Sequence, residues 1–276
     1  MQDYIIWDPS GTLLDLGFYQ LRWYSVLFGL GFALGYFFVR KRFKQANYDT
    51  GMLDSLAVYL VFGTVIGARL VHCVFYDWAY FSDHLLEIFL PFKFEPNFRF
   101  VGFQGLASHG GGLGVLGAVI LFAKRHKINT IWLIDTISMV IPLAGASIRL
   151  GNLMNSEIVG APTEVPWAFI FQQVDFIPRH PSQLYEAIAY LLIFLFFLWL
   201  KRQAFFKDGM LVGFMLLLVF IARFTIEFFK ADQVAFEAEM SLNMGQWLSI
   251  PFIVIGFGIV IYLFMKKSTK YTVGEG

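Results

Sequence analysis

The sequence has little charge and a single cysteine. Charged residues make up 15% of its 276 residues, against about 25% in soluble globular domains. The formal net charge of +1 provides no bulk positive field for nucleic-acid binding. Cys73 is the lone cysteine, so an intrachain disulfide is excluded. Its apolar surroundings favour an inert buried thiol over a reactive one.

Familiar metal and hydrolase motifs are also missing. The histidines are His72, His84, His109, His126 and His180. They form no His-Glu-x-x-His pattern and have no cysteine pair beside them, and no Gly-x-Ser-x-Gly elbow occurs. The first twenty residues lack a basic start followed by an apolar run, so we expect no cleavable signal peptide. We therefore predict no metal and no other cofactor.

What the sequence does have is long apolar runs. Hydrophobic residues make up 58% of the chain, and a bilayer core of about 30 Å needs roughly 17–25 helical residues. Seven runs are candidate spans, at residues 23–39, 53–75, 110–123, 131–146, 184–200, 210–229 and 246–265. The third and fourth are short by this measure. Because lipid offers the backbone no hydrogen-bonding partner, we predict an all-α integral membrane bundle of about seven transmembrane helices.

Basic residues predict the orientation of this bundle. The clusters "RKRFK", "KRHK", "KRQAFFK" and "KK" follow the first, third, fifth and seventh runs. Since basic loops stay in the cytoplasm, the N-terminus is predicted outside and the C-terminus in the cytoplasm. Residues 76–104 then form a small extracytoplasmic head, and residues 147–183 a second extracytoplasmic region. We expect both to belong to one transmembrane catalytic domain, residues 1–276.

Several polar residues fall at membrane depth, where charge costs a few kcal/mol and usually faces a cavity or a partner. They are Arg69, His109, Arg149, Glu157, Arg223 and Glu227. Arg223 and Glu227 stand four residues apart on one helix face, so a self-satisfied ion pair is one interpretation. Arg69 could instead extend from a helix end to the interface.

Two further polar runs allow structural interpretations. In "SHGGGLG", residues 108–114, the glycines suit tight helix packing. The imidazole of His109 could equally sit at a cavity mouth and move a proton near neutral pH. In "RHPSQLYE", residues 179–186, we predict mainly structural roles, with Ser182 as a helix N-cap and His180 before a fixed turn.

The stretch "SIRLGNLMNSEIVG", residues 147–160, resembles the signature of the prolipoprotein diacylglyceryl transferase family. That signature is roughly Gly-Arg-x-Gly/Ala-Asn-Phe-x-Asn-x-Glu-x-x-Gly. Ile148 replaces its first Gly and Leu153 its Phe, and the first departure argues against a tight backbone approach there. The stretches "LRWYSVLFGLGF", "GARLVHCVFY", "SHGGGLG", "RHPSQLYEA", "ARFTIEFF" and "NMGQWLSIPF" also resemble the family, in the family's order.

The resemblance implies a reaction in the bacterial cytoplasmic membrane, with an active site near the outer leaflet. Such enzymes move the diacylglyceryl group of phosphatidylglycerol to the lipobox cysteine of a preprolipoprotein. A thioether forms and glycerol 1-phosphate leaves. The nucleophile is the substrate's thiol, which agrees with a chain whose only cysteine is Cys73. We expect the protein to act as a monomer within the lipid bilayer.

The resemblance also implies roles for individual residues. Arg149 and Arg223 would hold the lipid phosphate, since arginine forks suit phosphate oxygens. His109, in the family's His-Gly-Gly motif, would be the base, while Glu227 or Glu157 would take the proton or orient an arginine. The predicted substrate-binding residues are Tyr24, Arg69, Gly110, Asn152, Asn155, Glu157 and Gly160.

Two other classes of function use the same residues. A small-anion transporter or lipid flippase would also place arginines in spans and break helices with glycine. A scaffold or binding protein could carry buried ion pairs. Only the enzyme makes a thioether-linked lipid, so product formation distinguishes the three.

Overall fold

A computed structural model describes residues 4–94, 97–102, 105–231 and 240–266, with the side chain of residue 108 excepted. Glu95 of the predicted head and Lys267 and Lys270 of the predicted cytoplasmic tail lie outside these ranges. The chain forms two compact units. The first comprises Met1–Arg42 and Asp135–Gly276, and the second comprises Phe43–Ile134.

Seven long helices dominate the described residues. They are α1 (Trp23–Gln45), α2 (Met52–Val71), α5 (Ser108–Arg125), α6 (Thr130–Met154), α7 (Ser182–Leu200), α8 (Met210–Glu227) and α9 (Met244–Met265). A π-helical turn, His72–Tyr76, extends α2, and two short helices follow it, α3 (Trp78–Phe81) and α4 (Leu85–Phe89). The predicted all-α polytopic architecture is confirmed.

Six of these helices are long and apolar enough to cross a membrane. Among the described helices of that length, α5 is the exception. Its 18 residues span only about 27 Å at 1.5 Å per residue. Five glycines, the histidine of its first turn and the terminal Lys124 and Arg125 reduce its hydropathy. The short third run predicted from the sequence is therefore short in the structure as well.

The fourth run is longer than the sequence predicted. We expected it to end at residue 146, but α6 continues for two more turns to Met154. The helix also accommodates Pro142 in its interior. In its most apolar stretch 61% of the residues are buried, against 17–44% for the other candidate spans. Polar residues at its end therefore project from a helix that is largely enclosed by protein.

In the first unit, α6, α7 and α8 pack through a shared apolar cluster. Its buried members are Met139, Leu143, Ala146, Tyr190, Ile193, Phe194, Phe197, Leu200 and Leu211. Asp135 of α6 accepts hydrogen bonds from the amides of Gly209 and Val212, at 2.7 and 2.9 Å. A side chain of α6 thereby caps the start of α8, whose first amides have no partner within their own helix.

In the second unit, α2 and α5 pack through glycines. A Cβ at Gly63 or Gly67 would meet the backbone of Gly114, and one at Gly110 would meet the Gly67 carbonyl. Small residues allow helix backbones in membranes to approach this closely. Gly110 and Gly114 of the "SHGGGLG" run therefore do serve helix packing.

Both units also contain short β-strands. The first unit carries a sheet of β1 (Ile5–Trp7), β6 (Phe169–Phe171) and β7 (Pro178–Arg179), and a hairpin of β2 (Thr12–Asp15) and β3 (Gln20–Arg22). Strand β1 runs parallel to β6, and β7 runs antiparallel to it. In the second unit, β4 (Phe92–Lys93) pairs with β5 (Arg99–Phe100). No strand in the described parts exceeds four residues.

Candidate functional site

Four polar side chains within residues 147–160 form one hydrogen-bonded chain at the end of α6. Arg149 Nη1 donates to Asn152 Oδ1 at 3.2 Å, one helical turn further on. Asn152 Nδ2 donates to Glu157 Oε2 at 2.8 Å, and Asn155 Nδ2 donates to Glu157 Oε1 at 3.1 Å. The spacing that identified the signature therefore places these four side chains in mutual contact.

Left-handed backbone positions shape the turn after α6. Ser156 and Ile158 have φ values of 52° and 53°. A positive φ is uncommon for residues other than glycine and is an outlier for a β-branched residue such as isoleucine. Backbone strain of this kind persists only where surrounding contacts enforce it, and it clusters at functional sites. Here it directs Glu157 back towards the last turn of α6.

Contacts from α7 hold this turn in place. Gln183 Nε2 donates to the Glu157 carbonyl at 2.5 Å, and Ser182 Oγ donates to the Ile158 carbonyl at 2.9 Å. The prediction that Ser182 caps α7 was wrong, because Pro181 occupies the capping position and the Ser182 hydroxyl bonds outside its own helix. The start of α7 therefore braces the signature turn.

A buried chain of alternating charges extends from Arg149. Its Nε lies 2.6 Å from Oε2 of Glu186 on α7. The other oxygen of Glu186 lies 3.2 Å from Lys230 Nζ, which is also 2.9 Å from Glu227 Oε2. The side chains of Glu186, Lys230 and Glu227 are only 0%, 3% and 8% exposed. Buried charges are tolerated when they are paired in this way.

The anticipated pairing of Arg223 with Glu227 does not form. In the part of the chain that the structure describes, Glu227 pairs with Lys230, while Arg223 makes no hydrogen bond or ion pair and is half-buried. An arginine placed before a glutamate at this spacing is the less favourable order for a helix pair. The self-satisfied pair considered from the sequence is therefore wrong, and the guanidinium of Arg223 has no carboxylate partner among the described residues.

Gly160 lies where three backbone segments meet. Its amide donates to the His180 carbonyl at 3.0 Å, and it forms an isolated β-bridge with Lys230. A Cβ here would lie 2.7 Å from the Phe229 carbonyl oxygen and would also meet His180. Only glycine fits this approach, which brings the backbone of Lys230 against the signature turn.

Tyr24 and Gly245 complete the surroundings of the charge chain. The Tyr24 ring packs against Gly151, where a Cβ would lie 2.8 Å from its Cδ2 atom. At the start of α9, a Cβ on Gly245 would lie 2.8 Å from the Glu227 carboxyl carbon.

Ile148, which replaces the first glycine of the family signature, lies within α6 and is not among the residues with positive φ. The backbone conformation at that position therefore does not require glycine.

His180 and Tyr185 form a neighbouring polar pair outside this chain. The Tyr185 hydroxyl lies 3.1 Å from His180 Nδ1 and accepts from Trp167 Nε1 at 2.8 Å. The His180 ring also contacts Phe229 edge-on. Burial lowers the pKa of His180, so the neutral imidazole is favoured.

The remaining predicted residues belong to the second unit. Arg69 Nε donates to the Ile88 carbonyl at 3.2 Å, and its Nη2 donates to the Glu87 carbonyl at 2.5 Å. His109, half-buried, and Gly110 lie in the first turn of α5. The structure thus unites Tyr24, the signature residues and Glu227 in one unit, while Arg69, His109 and Gly110 share the other.

The sequence was compared with known families and proteins. The family model of prolipoprotein diacylglyceryl transferase matches residues 11–262. The chain belongs to this family. A phosphatidylglycerol–prolipoprotein diacylglyceryl transferase of Bacteroides fragilis is 43% identical over 270 residues, which cover 96% of this chain and 98% of the relative. Relatives with the same name from Tolumonas auensis and Chloroherpeton thalassium are 43% and 42% identical over 265 and 273 residues. Those alignments cover 95% and 96% of this chain, and 98% and 96% of the two relatives.

Membership of the prolipoprotein diacylglyceryl transferase family confirms the resemblance drawn from the signature. The matched relatives are named as transferases over nearly the full length of the chain, so the transporter alternative is not supported. A membrane enzyme family and six apolar helices together indicate a multi-pass protein of the inner membrane.

The sequence did not reveal that two further charged residues, Glu186 and Lys230, belong to the site of this transferase. Glu186 was assigned to a structural first turn of α7, and Lys230 was given no role. Both are charged residues at the ends of apolar runs, which was the signal that could have found them. Glu186 is far in the sequence from both of its partners, Arg149 and Lys230, so no local spacing linked it to them.

Proposed function

We propose that this chain transfers the diacylglyceryl group of phosphatidylglycerol to the cysteine thiol of a prolipoprotein. The names of its relatives support this assignment. In the reaction the cysteine sulfur forms a bond to a glyceryl carbon, and the bond from that carbon to a phosphate oxygen breaks. The thiol proton passes to a base, and glycerol 1-phosphate leaves with its charge increased.

The proposal for the site rests on one observation, the fixed position of Arg149. Glu186 and Asn152 contact two of its three nitrogens, a further hydrogen bond joins it to Tyr190, and its side chain remains 15% exposed. A guanidinium has five N–H donors, more than these three contacts use. An anchored cation with spare donors costs little reorganisation when negative charge develops on a leaving phosphate. Arg149 would thus bind and stabilise that phosphate.

Arg223 is proposed as the second phosphate-binding cation. Its guanidinium is half-buried and meets no carboxylate in the ranges that the structure describes. An anionic headgroup would therefore offset a charge that no described carboxylate pairs with. Lys230 differs, because its ammonium is almost fully buried between Glu186 and Glu227 and serves to position them.

His109 is proposed as the base that accepts the thiol proton. Both candidate carboxylates are already occupied as acceptors. Glu157 accepts from Asn152 and Asn155, one at each oxygen. Glu227 is paired with Lys230. These oxygens are engaged in holding Asn152, Asn155 and Lys230, whereas an imidazole is the side chain that most often moves protons in general base catalysis.

The side-chain amides of the signature turn and the ring of Tyr24 would complete the lipid site. Asn152, Asn155 and Tyr24 are proposed to bind headgroup or glyceryl oxygens, with Glu157 holding both amides in place. Gly160 and Gly110 would allow backbone segments to approach closely. Arg69, which belongs to the second unit, is also proposed to bind substrate. We place this site near the outer leaflet, with the N-terminus outside and the C-terminus in the cytoplasm, in a protein that acts as a monomer.

The proposal is tested by transfer of labelled lipid from phosphatidylglycerol to a lipobox peptide in detergent. Arg149→Ala and Arg223→Ala should each abolish transfer while the protein remains folded. Arg202→Ala is the matched control, because this exposed arginine follows α7 outside the site. Normal transfer by either site variant would contradict the phosphate-binding role. Retention of most activity by His109→Gln would reduce that residue to positioning.

A further inference from the structure

Three backbone segments of the first unit form a small ladder beside the signature turn. They are residues 159–163 in the middle, residues 178–180 on one side and residues 229–231 on the other. The Gly160 amide donates to the His180 carbonyl at 3.0 Å, and the His180 amide donates back to the Ala161 carbonyl at 3.1 Å. The Ala161 amide donates to the Phe229 carbonyl at 2.9 Å. The ladder therefore joins the end of the signature to the segment that follows α8.

The side chain of Arg179 reaches back across this ladder. Its Nη1 donates to the Gly160 carbonyl at 3.2 Å, while the Gly160 amide is bonded to the carbonyl of the next residue, His180. Both polar backbone groups of Gly160 are thereby held from residues 179 and 180. None of the roles proposed so far for the transfer reaction uses Arg179.

Asp175 holds the guanidinium of Arg179 in that direction. Arg179 Nε donates to both carboxylate oxygens at 3.1 Å, and Nη2 donates to Oδ2 at 2.6 Å. Asp175 Oδ1 also accepts from the Ile177 amide at 3.1 Å, which fixes the carboxylate within its own turn. The hydrogen bonds from Arg179 lower the pKa of Asp175 below its usual value, so the pair stays ionised at neutral pH.

The exposure of this ion pair favours a directional role over a stabilising one. The side chains of Arg179 and Asp175 are 14% and 28% exposed. Ion pairs in contact with water usually contribute little to stability, because solvent screens their attraction and ordering two side chains costs entropy. A bidentate fork still fixes the direction of the guanidinium. The pair is therefore better suited to orienting Arg179 towards Gly160 than to holding the unit together.

Gly160 connects two parts of the proposed site. It lies three residues after Glu157, in the turn that follows α6. On its other side it forms the bridge to Lys230. The Lys230 ammonium lies between Glu186 and Glu227, at 3.2 and 2.9 Å. A displaced Gly160 carbonyl would therefore move both the signature turn and the backbone of Lys230.

We propose that Arg179 is a positioning residue for diacylglyceryl transfer. Held by Asp175, it fixes the Gly160 carbonyl and keeps the signature turn aligned with the segment after α8. The inference rests on the proposed function, because the aligned turn carries Glu157, whose two amide partners are proposed to bind the lipid. In this role Arg179 acts through these residues and not by contact with either substrate.

The test is steady-state transfer from phosphatidylglycerol to a lipobox peptide by Arg179→Met, which removes every donor but keeps an unbranched side chain. Rates are measured well below the Tm of each protein and divided by the amount of folded protein. We expect kcat/KM to fall at least about tenfold, since a misplacement of about 1 Å can cost about a hundredfold. Arg202→Met, at the exposed arginine after α7, is the matched control and should behave as the parent protein. A lower Tm with unchanged kcat/KM would show a purely structural contact and would overturn the proposal, as would an equal loss in the control.

A second variant tests the order in which these residues act. Asp175→Asn keeps an acceptor for the Ile177 amide but offers the guanidinium of Arg179 only one oxygen, so it should lower kcat/KM less than Arg179→Met does. Because Asp175 acts through Arg179, it should cause no further loss in the Arg179→Met background. Additive losses would contradict this order. If Arg179→Met does not fold, Asp175→Asn carries the test alone, and a normal kcat/KM in that variant would overturn the proposal.

Amide hydrogen exchange measures the alignment without the reaction. In Arg179→Met the amides of Gly160, Ala161 and Ala231 should exchange faster, because all three are bonded within the ladder. Amides of the β2–β3 hairpin should keep the parent rate. Unchanged exchange at Ala231 would show that the segment after α8 does not depend on Arg179, and would overturn the proposal. Because exchange needs no substrate, an absence of transfer by the parent protein would contradict the proposed function but not this measurement.

Discussion

Replacing Glu186 with glutamine perturbs the buried charge chain at its centre. The carboxylate is fully buried, 2.6 Å from Arg149 Nε and 3.2 Å from Lys230 Nζ. At an effective dielectric constant near 20, each contact is worth on the order of 5 kcal/mol of attraction. Desolvation of the ions opposes this, and breaking a buried pair costs about 3–5 kcal/mol net.

The substitution preserves size but leaves the cations of Arg149 and Lys230 facing a neutral amide. The Tm should fall by about 6–20 °C, because each kcal/mol shifts a chain of this size by roughly 2–4 °C. Transfer to the lipobox peptide should fall about a hundredfold, since a misplacement of about 1 Å can cost that much. Glu164→Gln is the matched control, because Glu164 is exposed and follows shortly after Gly160 in the sequence.

A double-variant cycle separates the coupling between Glu186 and Lys230 from a general loss of stability. Glu186→Gln and Lys230→Met should be non-additive in their effects on stability by about 1–3 kcal/mol, because the two residues are in direct contact. Unchanged Tm and unchanged transfer in Glu186→Gln would refute the positioning of Arg149 by this carboxylate.

Three other predictions follow from single contacts. Gly160→Ala should lower both Tm and transfer, because its methyl group would meet the Phe229 carbonyl, whereas Gly112→Ala has open space around it and should be tolerated. Asp135→Ala should cost about 1–3 kcal/mol in a denaturation series, because it strips the capping acceptor from the start of α8. Burial lowers the pKa of His180, so the folded state binds its proton more weakly than the unfolded state does. Stability should therefore fall as the pH drops below about 6.5, and His180→Asn should flatten the Tm profile between about pH 7 and 5.

The apolar runs predicted the helices well, because lipid leaves the backbone no alternative to helix. The end of α6 was predicted eight residues too early. Ser147, Arg149 and Asn152 interrupt the apolar pattern, and hydropathy treats such residues as a helix end. The helix continues because Glu186 satisfies Arg149, Glu157 satisfies Asn152, and Ser147 donates to the Leu143 carbonyl within the helix.

The site was predictable in its composition but not in its pairing. The signature spacing brought Arg149, Asn152 and Glu157 together as expected. The spacing of Arg223 and Glu227 indicated a pair on one helix face, yet Glu227 contacts Lys230 instead. Helical spacing allows Glu227 to pair with a cation four residues before it or three residues after it. The choice of Lys230 goes with its second contact, to Glu186 of α7, about which local periodicity carries no information.

The central claim is that Arg149 and Arg223 hold the phosphate of phosphatidylglycerol. A structure of the protein with phosphatidylglycerol bound and no peptide acceptor tests it most directly. We predict phosphate oxygens within about 3 Å of nitrogen atoms of both guanidinium groups, the distance of charge-assisted hydrogen bonds. A phosphate bound away from both arginines, with Arg149 held only by its protein partners, would contradict the account.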